Sequence, residues 1–148
     1  TIIIRPGNIY GEYDKFDLKK SHVIPALINK FNSANKKVEV WGDGSDIKNF
    51  IFIKYFIKGS IMAAKKNLDI VNIASEKSYS LKKVINILAK LFKKNVLISY
   101  DKSKPTMIAK RNISIDFAKK KLGFKTKYSL EKGLENTIKW YKKNKKYL

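Results

Sequence analysis

Apolar residues recur every three or four positions in several stretches of the chain, the spacing of a helix with one face in a core. The pattern is clear after Ser21, where Val23, Leu27 and Phe31 fall on one face and Ser21 itself is a candidate N-cap. The predicted helices cover residues 21–34, 54–65, 81–93 and 130–143, and the residues expected to face inward in the second are Ile57, Ile61 and Met62.

Polar residues at the helix ends support these boundaries. Ser80 and Ser129 directly precede the third and fourth helices, where a hydroxyl can accept a hydrogen bond from a free backbone N–H. Asp116 is predicted to cap a further short helix, and Gly123 to end it, since glycine readily adopts the left-handed conformation of a helix terminus.

Short runs rich in β-branched residues lie between the helices and predict strands. The predicted strands cover residues 1–5, 38–41, 49–53, 70–73 and 96–100. Strands that alternate with helices indicate an α/β fold, with some C-terminal elements in a smaller subdomain. Because the chain opens inside an apolar strand, we expect residues 1–148 to be one fragment of a larger fold.

The chain is strongly basic, with 33 Lys and Arg against 12 Asp and Glu and a net charge of +21. A charge of this size is compatible with binding to nucleic acid phosphates. All but two of the basic residues, Arg5 and Arg111, are lysines, which lack the bidentate fork of arginine, and the lysines are spread along the sequence. We therefore do not expect nucleic acid as the partner, although a basic nucleic-acid-binding module remains the alternative interpretation.

Composition also limits the possible chemistry. The chain has no cysteine and one histidine, so thiolate metal sites and cysteine nucleophiles are excluded within it, and no metal-ligand cluster is visible. No apolar run reaches the roughly 18 residues that a membrane helix needs, and no signal peptide is visible. We expect a cytoplasmic protein.

Several motifs occur in an order that resembles a known family. Residues 5–11 read Arg-Pro-Gly-Asn-Ile-Tyr-Gly, and residues 21–28 read Ser-His-Val-Ile-Pro-Ala-Leu-Ile. Further on come Val-Trp-Gly-Asp-Gly at 40–44, Phe-Ile-Phe-Ile at 50–53 and Leu-Gly-Phe at 122–124. Together they resemble the C-terminal part of extended short-chain dehydrogenases/reductases of the NAD-dependent epimerase/dehydratase family, and the stretch at 21–28 is most similar to its GDP-L-fucose synthases.

The resemblance implies a Rossmann-type parallel sheet with a smaller substrate-binding subdomain, and it implies roles for individual residues. NADP or NAD would lie against Pro6, Asn8, Ile9 and His22, and His22 would transfer a proton during epimerisation. The sugar nucleotide, a nucleoside-diphosphate sugar, would be held by Lys30, Trp41, Lys48 and Arg111. Family members often form homodimers, and we expect one here.

The chain departs from the family pattern at several positions. Lys48 stands where the family has arginine, and Lys54 and Tyr55 stand where it has an acidic pair. The run after Pro105 matches other nucleotide-sugar enzymes rather than the fucose synthases. A degenerate, non-catalytic family member therefore remains a further alternative.

Two family motifs are expected upstream of Thr1. One is the Gly-x-x-Gly-x-x-Gly turn that binds the pyrophosphate of the dinucleotide, and the other is a helix with Tyr-x-x-x-Lys. Tyr79 and Lys83 have the second spacing, but Tyr79 precedes the predicted cap Ser80. We therefore expect an oxidoreductase or isomerase whose activity requires more than these residues.

Overall fold

The computed structural model describes residues 1–104 and 109–147, which form a mixed α/β fold with parallel strand pairs, as the alternation of patterns predicts. The strands are β1 (Ile3–Pro6), β2 (Asn8–Tyr10), β3 (Lys37–Trp41), β4 (Ile47–Phe52), β5 (Ile70–Ile73), β6 (Ser78–Ser80) and β7 (Leu97–Asp101). The helices are α1 (Val23–Ser33), α2 (Ile53–Lys65), α3 (Leu81–Phe92), α4 (Asp116–Leu122) and α5 (Leu130–Asn144), and a 3-10 turn follows at Lys145–Tyr147. No helix among the described residues is long and apolar enough to cross a bilayer.

The strands form three small sheets. β1 pairs in parallel with β5, and β3 pairs in parallel with β7. β4 pairs in parallel with β2 on one side and antiparallel with β6 on the other. The chain passes from the first sheet to the second at Gly7, whose N–H donates to the carbonyl of Ile73 at 3.1 Å. The sheet that contains β4 therefore starts directly beside the end of β5.

Helices α1 and α3 pack against each other through their C-terminal ends. The rings of Phe31 and Phe92 stack at 5.9 Å, and both side chains are buried. The ammonium of Lys94 donates to the carbonyls of Phe31, Asn32 and Ala34 at 2.9, 2.9 and 2.7 Å. These are the last carbonyls of α1, which have no partner within the helix, so Lys94 caps α1 from the neighbouring chain segment.

Most predicted helix ends are confirmed, and two are wrong. Ser80 and Ser129 accept hydrogen bonds from the third backbone N–H of α3 and α5, and Gly123 ends α4 in the left-handed conformation at φ 62°. The N-cap of α1 is His22 rather than Ser21, and no side chain caps that helix. Asp116 is the first residue of α4 and not its cap, although its charge still lies in the first turn.

The prediction for the inward face of α2 is wrong for two of its three residues. Ile57 and Ile61 are 49% and 51% exposed, whereas Met62 packs partly against the core. The face that α2 buries is formed by Tyr55, Gly59 and Ala63. Gly59 and Ala63 have little apolar surface of their own, but their small size allows the helix backbone to approach β5 closely. The helix therefore has two apolar faces, and the described residues cover only one.

We predict that Gly59→Ala destabilises the fold. A Cβ at Gly59 would lie 2.7 Å from Cγ2 of Ile73 and 2.8 Å from the Phe124 ring, both of which are fully buried. Overpacking of this kind typically costs about 1–3 kcal/mol, more than the gain in helix propensity that alanine brings. Urea unfolding measures the change, with the exposed substitution Ala64→Leu on the same helix as the control. Equal stability of Gly59→Ala and the unmodified protein would contradict the packing described here.

Candidate functional site

A cavity of about 490 Å³ opens between the end of β2 and the start of α1. It is lined by residues 7–14 and 22–25 together with Lys48, Phe50 and Ile53. Four of the residues predicted from the sequence, Asn8, Ile9, His22 and Lys48, therefore line one space. Polar groups and an apolar wall together are typical of a ligand pocket.

The strand pair β2–β4 forms one wall of the cavity. Asn8 is in register with Phe50, and the Asn8 side-chain Nδ2 donates to the main-chain carbonyl of Asn49 at 2.9 Å. This bond fixes the amide plane of Asn8. Lys48 and Phe50 line the cavity, whereas Asn49 between them faces the other side of the strand, as the alternation of side chains along a strand requires.

The loop after β2 forms a second wall, and aromatic contacts anchor it. Tyr13 adopts a left-handed conformation at φ 63°, and its ring lies 4.9 Å from that of Trp140 on α5. Phe16 is buried against Trp140 and Tyr141, with ring distances of 6.0 and 4.7 Å. The loop is therefore held against α5, although its sequence shows no regular pattern.

Asp14 and His22 face the same cavity from the loop and from the start of α1. Burial raises the pKa of the Asp14 carboxyl, and the N–H of Lys15 and the nearby His22 offset part of this effect. A desolvated carboxyl beside an imidazole in a cavity is an arrangement often found where protons are exchanged. The pair gives the site groups that can take up and release a proton.

The ammonium of Lys48 lies 3.3 Å from the carboxylate of Asp46, and the two side chains are only 16% and 14% exposed. Arg111 approaches the same strand, since its N–H donates to the carbonyl of Ile47 at 2.9 Å. Its side chain is exposed. Lys48 and Arg111, both predicted to hold the sugar nucleotide, thus start from adjacent backbone segments at one end of β4.

Lys30 and Trp41 lie together but are not among the residues that line the cavity. The Lys30 ammonium donates to the carbonyl of Glu39 at 2.9 Å and lies 5.9 Å from the centre of the Trp41 ring. Trp41 is 52% exposed, so its face remains accessible. Pro6 also lies outside the lining, one residue before Gly7. The roles of all the predicted site residues, inside and outside the lining, stay predictions.

A model of the NAD dependent epimerase/dehydratase family matches residues 1–74, which are half of the chain. The chain belongs to this family. GDP-L-colitose synthase of Yersinia pseudotuberculosis is 32% identical over 92% of the chain and 46% of that protein. dTDP-4-dehydro-6-deoxy-D-allose reductase of a Streptomyces species is 27% identical over 99% of the chain and 44% of that protein. The chain spans a little under half the length of the curated relatives it matches.

Solved structures show the same fold. A GDP-L-fucose synthetase from Naegleria fowleri bound to NADP superposes with a TM-score of 0.90 at 19% identity, over 98% of this chain and 47% of that one. A UDP-glucuronic acid 4-epimerase from Bacillus cereus, in complex with a sugar nucleotide and NAD, gives a TM-score of 0.84 at 25% identity over 96% and 45%. The described residues therefore have the fold of the corresponding part of Rossmann-type epimerases and reductases.

Four tyrosines of this family member have a lysine four positions later, which is more than the single pair considered above. They are Tyr79, Tyr100, Tyr128 and Tyr141. None of the four is among the residues that line the cavity. Tyr141 lies within α5 but is only 2% exposed. Such spacings arise by chance in a chain this rich in lysine, and none of these pairs is placed to act in the cavity.

Sequence reasoning missed two residues of the site. Tyr10 is buried beside the cavity, and its hydroxyl donates to the carbonyl of Leu130 at 3.5 Å. Burial, reinforced by Tyr79, raises the pKa of Tyr10, so the hydroxyl stays neutral. Asp14 is the other. Tyr10 belongs to the motif at residues 5–11, but neither its burial nor that of Asp14 is visible in the local sequence. Within residues 1–104 and 109–147, no group of three or more His, Cys, Asp or Glu could hold a metal ion.

We predict that Asp14→Asn stabilises the protein at neutral pH. The folded-state pKa of Asp14 is raised above its ordinary value of 3.8, so ionisation of this carboxyl weakens the fold at higher pH. The gain should be present at about pH 7 and shrink toward about pH 3, where the carboxyl is protonated in both states. Thermal unfolding at both pH values measures it. Glu12→Gln makes the same charge change on an exposed neighbour, and an equal gain there would contradict the assignment to Asp14.

Proposed function

We propose that the chain is the substrate-binding portion of an NAD(P)-dependent nucleotide-sugar epimerase, dehydratase or reductase similar to GDP-L-fucose synthase. The observation that carries the proposal is the cavity that gathers Asn8, Asp14, His22 and Lys48. It offers an amide, a pair of proton-exchanging groups and a cation beside an apolar wall. Two of the relatives that the chain matches are named as enzymes of GDP- and dTDP-linked sugars.

The cavity fits the nicotinamide end of NADP or NAD. A nicotinamide ring is flat and carries a carboxamide, and the cavity presents Ile9 and Phe50 for the ring and the Asn8 amide for the carboxamide. As the resemblance implies, Pro6, Asn8, Ile9 and His22 would hold this end, and Gly7 lines the cavity beside Asn8. When bound, the dinucleotide supplies the hydride chemistry.

His22 would move the proton in the reaction. Its imidazole lies at the N-terminus of α1 and lines the cavity together with Asp14. It would exchange a proton with the sugar carbon whose configuration changes. On the substrate side, Lys48 and Arg111 would bind the diphosphate by charge. Trp41 and Lys30 would contact the part of the nucleotide sugar that extends out of the cavity.

We further propose that a longer protein supplies the first Rossmann half, upstream of Thr1, and works as a homodimer in the cytoplasm. β1 pairs only with β5 among the described residues, and Ile3 and Ile70 on this pair are 56% and 41% exposed. Parallel strands are normally covered on both faces. The exposed Ile57 and Ile61 of α2 would be covered by the same half.

Packing explains the tyrosine at position 55, where the family has an acidic residue. Burial raises the pKa of the Tyr55 hydroxyl, while hydrogen bonds from the N–H groups of Lys127 and Tyr128 lower it. The neutral Tyr55 hydroxyl therefore accepts hydrogen bonds from the segment before α5 and holds that segment in place. A neutral side chain at this position is accounted for by packing, so the missing acidic pair does not by itself speak against an enzyme.

We predict that the 148-residue chain alone turns over no nucleotide sugar, because the pyrophosphate turn and the Tyr-x-x-x-Lys helix would lie upstream. Assay of the chain with NADPH and GDP- or UDP-linked 4-keto sugars tests this. The full-length protein from the same reading frame serves as the positive control. Turnover by the isolated chain above that of a buffer blank would refute the prediction.

In the full-length protein, we predict that His22→Ala slows turnover by about 10²- to 10⁴-fold, the usual contribution of a general acid or base. The dissociation constant for the nucleotide sugar should change far less, since Lys48 and Arg111 remain. Steady-state rates and calorimetric binding give the two numbers. Lys20→Ala, an exposed change two residues away, is the control. Wild-type activity in His22→Ala would remove His22 from the mechanism.

A further inference from the structure

We propose that Asp46 is a specificity-determining residue of the phosphate subsite and sets which phosphate charge Lys48 accepts. The proposal rests on the proposed function, in which Lys48 meets the diphosphate of a sugar nucleotide. Lys48 lines the cavity, whereas Asp46 does not, and the two side chains meet at 3.3 Å. A phosphate bound to Lys48 in the cavity would therefore come close to the negative charge of Asp46.

Burial makes this repulsion matter. Both side chains are about 85% shielded, at 16% and 14% exposure, so solvent and salt screen them much less than a surface pair. Asp46 is also held in place by the main chain, because its carbonyl accepts the N–H of Leu81 at 2.9 Å. The backbone from which the carboxylate extends is therefore fixed at the start of α3.

The carboxylate therefore discriminates by ligand charge. The two phosphates of a nucleoside diphosphate sugar are both diesters, with one negative charge each. A free nucleoside diphosphate ends in a monoester that approaches two charges above its second pKa of about 6. Each added charge near Lys48 also adds repulsion from Asp46. Asp46 thus favours the intact sugar nucleotide over the free nucleotide that would otherwise compete for the same cation.

The test compares Asp46→Asn with the unmodified sequence, both in the full-length protein, at about pH 8, where the terminal phosphate is fully ionised. Calorimetric or nuclear magnetic resonance titrations give the dissociation constants of two matched pairs, GDP against GDP-mannose and UDP against UDP-glucose. Because Lys48 loses a partner, the variant should melt at a lower temperature without ligand. It should bind the free diphosphates about tenfold more tightly and the sugar nucleotides by a smaller factor. Asp43→Asn, an exposed change on the same turn, should leave all four affinities as they are.

Other outcomes separate the possible failures. In one outcome the unmodified protein binds these ligands and Asp46→Asn binds them equally or more weakly. Asp46 then only positions Lys48, so the proposal is wrong although the phosphate subsite stands. If neither protein binds any of the four, the phosphate subsite itself is wrong, and Asp46 has nothing to select. Asp46→Ser replaces Asp46→Asn should the latter not fold.

Discussion

One buried amide holds together the segments on which the site depends. Asn49 is 1% exposed, and its side chain accepts the N–H of Ser75 at 3.0 Å and donates to the carbonyl of Ser75 at 2.8 Å. Its main-chain carbonyl accepts a hydrogen bond from the side-chain Nδ2 of Asn8. An amide has both donors and an acceptor, so it can satisfy both groups of Ser75, which a carboxylate or an alkyl side chain cannot do. Strand β4 is thereby tied to the end of β5 on one side and to the cavity wall on the other.

The same amide explains the glycine at position 7. A Cβ there would lie 2.7 Å from Oδ1 of Asn49 and 3.2 Å from Cβ of Ala74. The turn between β1 and β2 is therefore narrow because three chain segments meet behind it. This tight junction places Asn8 and Lys48 on one cavity wall with little freedom to move. An arrangement of this kind prepares a site before a ligand arrives, which lowers the entropy lost on binding.

The helices and the family could be predicted from the sequence more fully than the residues that line the cavity. Ser80, Ser129 and Gly123 act where they were expected to act, because a cap is a local interaction between neighbouring residues. The short strands Asn8–Tyr10 and Ser78–Ser80 were not predicted, since each has only three residues and is formed by pairing with β4. Asp14 and Tyr10 were missed for a similar reason. Tyr10 is buried by Phe50 and Phe52 of β4 and by the start of α5, which a local pattern does not contain.

The error at Ile57 and Ile61 differs from these omissions, because the pattern was recognised and its partner was not. Hydrophobic periodicity predicts that one face of a helix is buried, but it does not identify the segment that packs against that face. Gly59 and Ala63 are small residues that a periodicity search passes over, yet both are buried and Gly59 packs directly against Ile73 of β5.

The uncovered isoleucine face of α2, together with β1, which pairs with β5 alone among the described residues, favours association with other chains. The net charge of +21 acts in the opposite direction, because like-charged molecules repel one another at moderate ionic strength. Charge repulsion is long-ranged and weak per contact, whereas apolar contact is short-ranged and strong. The chain should therefore stay dispersed at low salt and associate through α2 and β1 once salt screens the lysines.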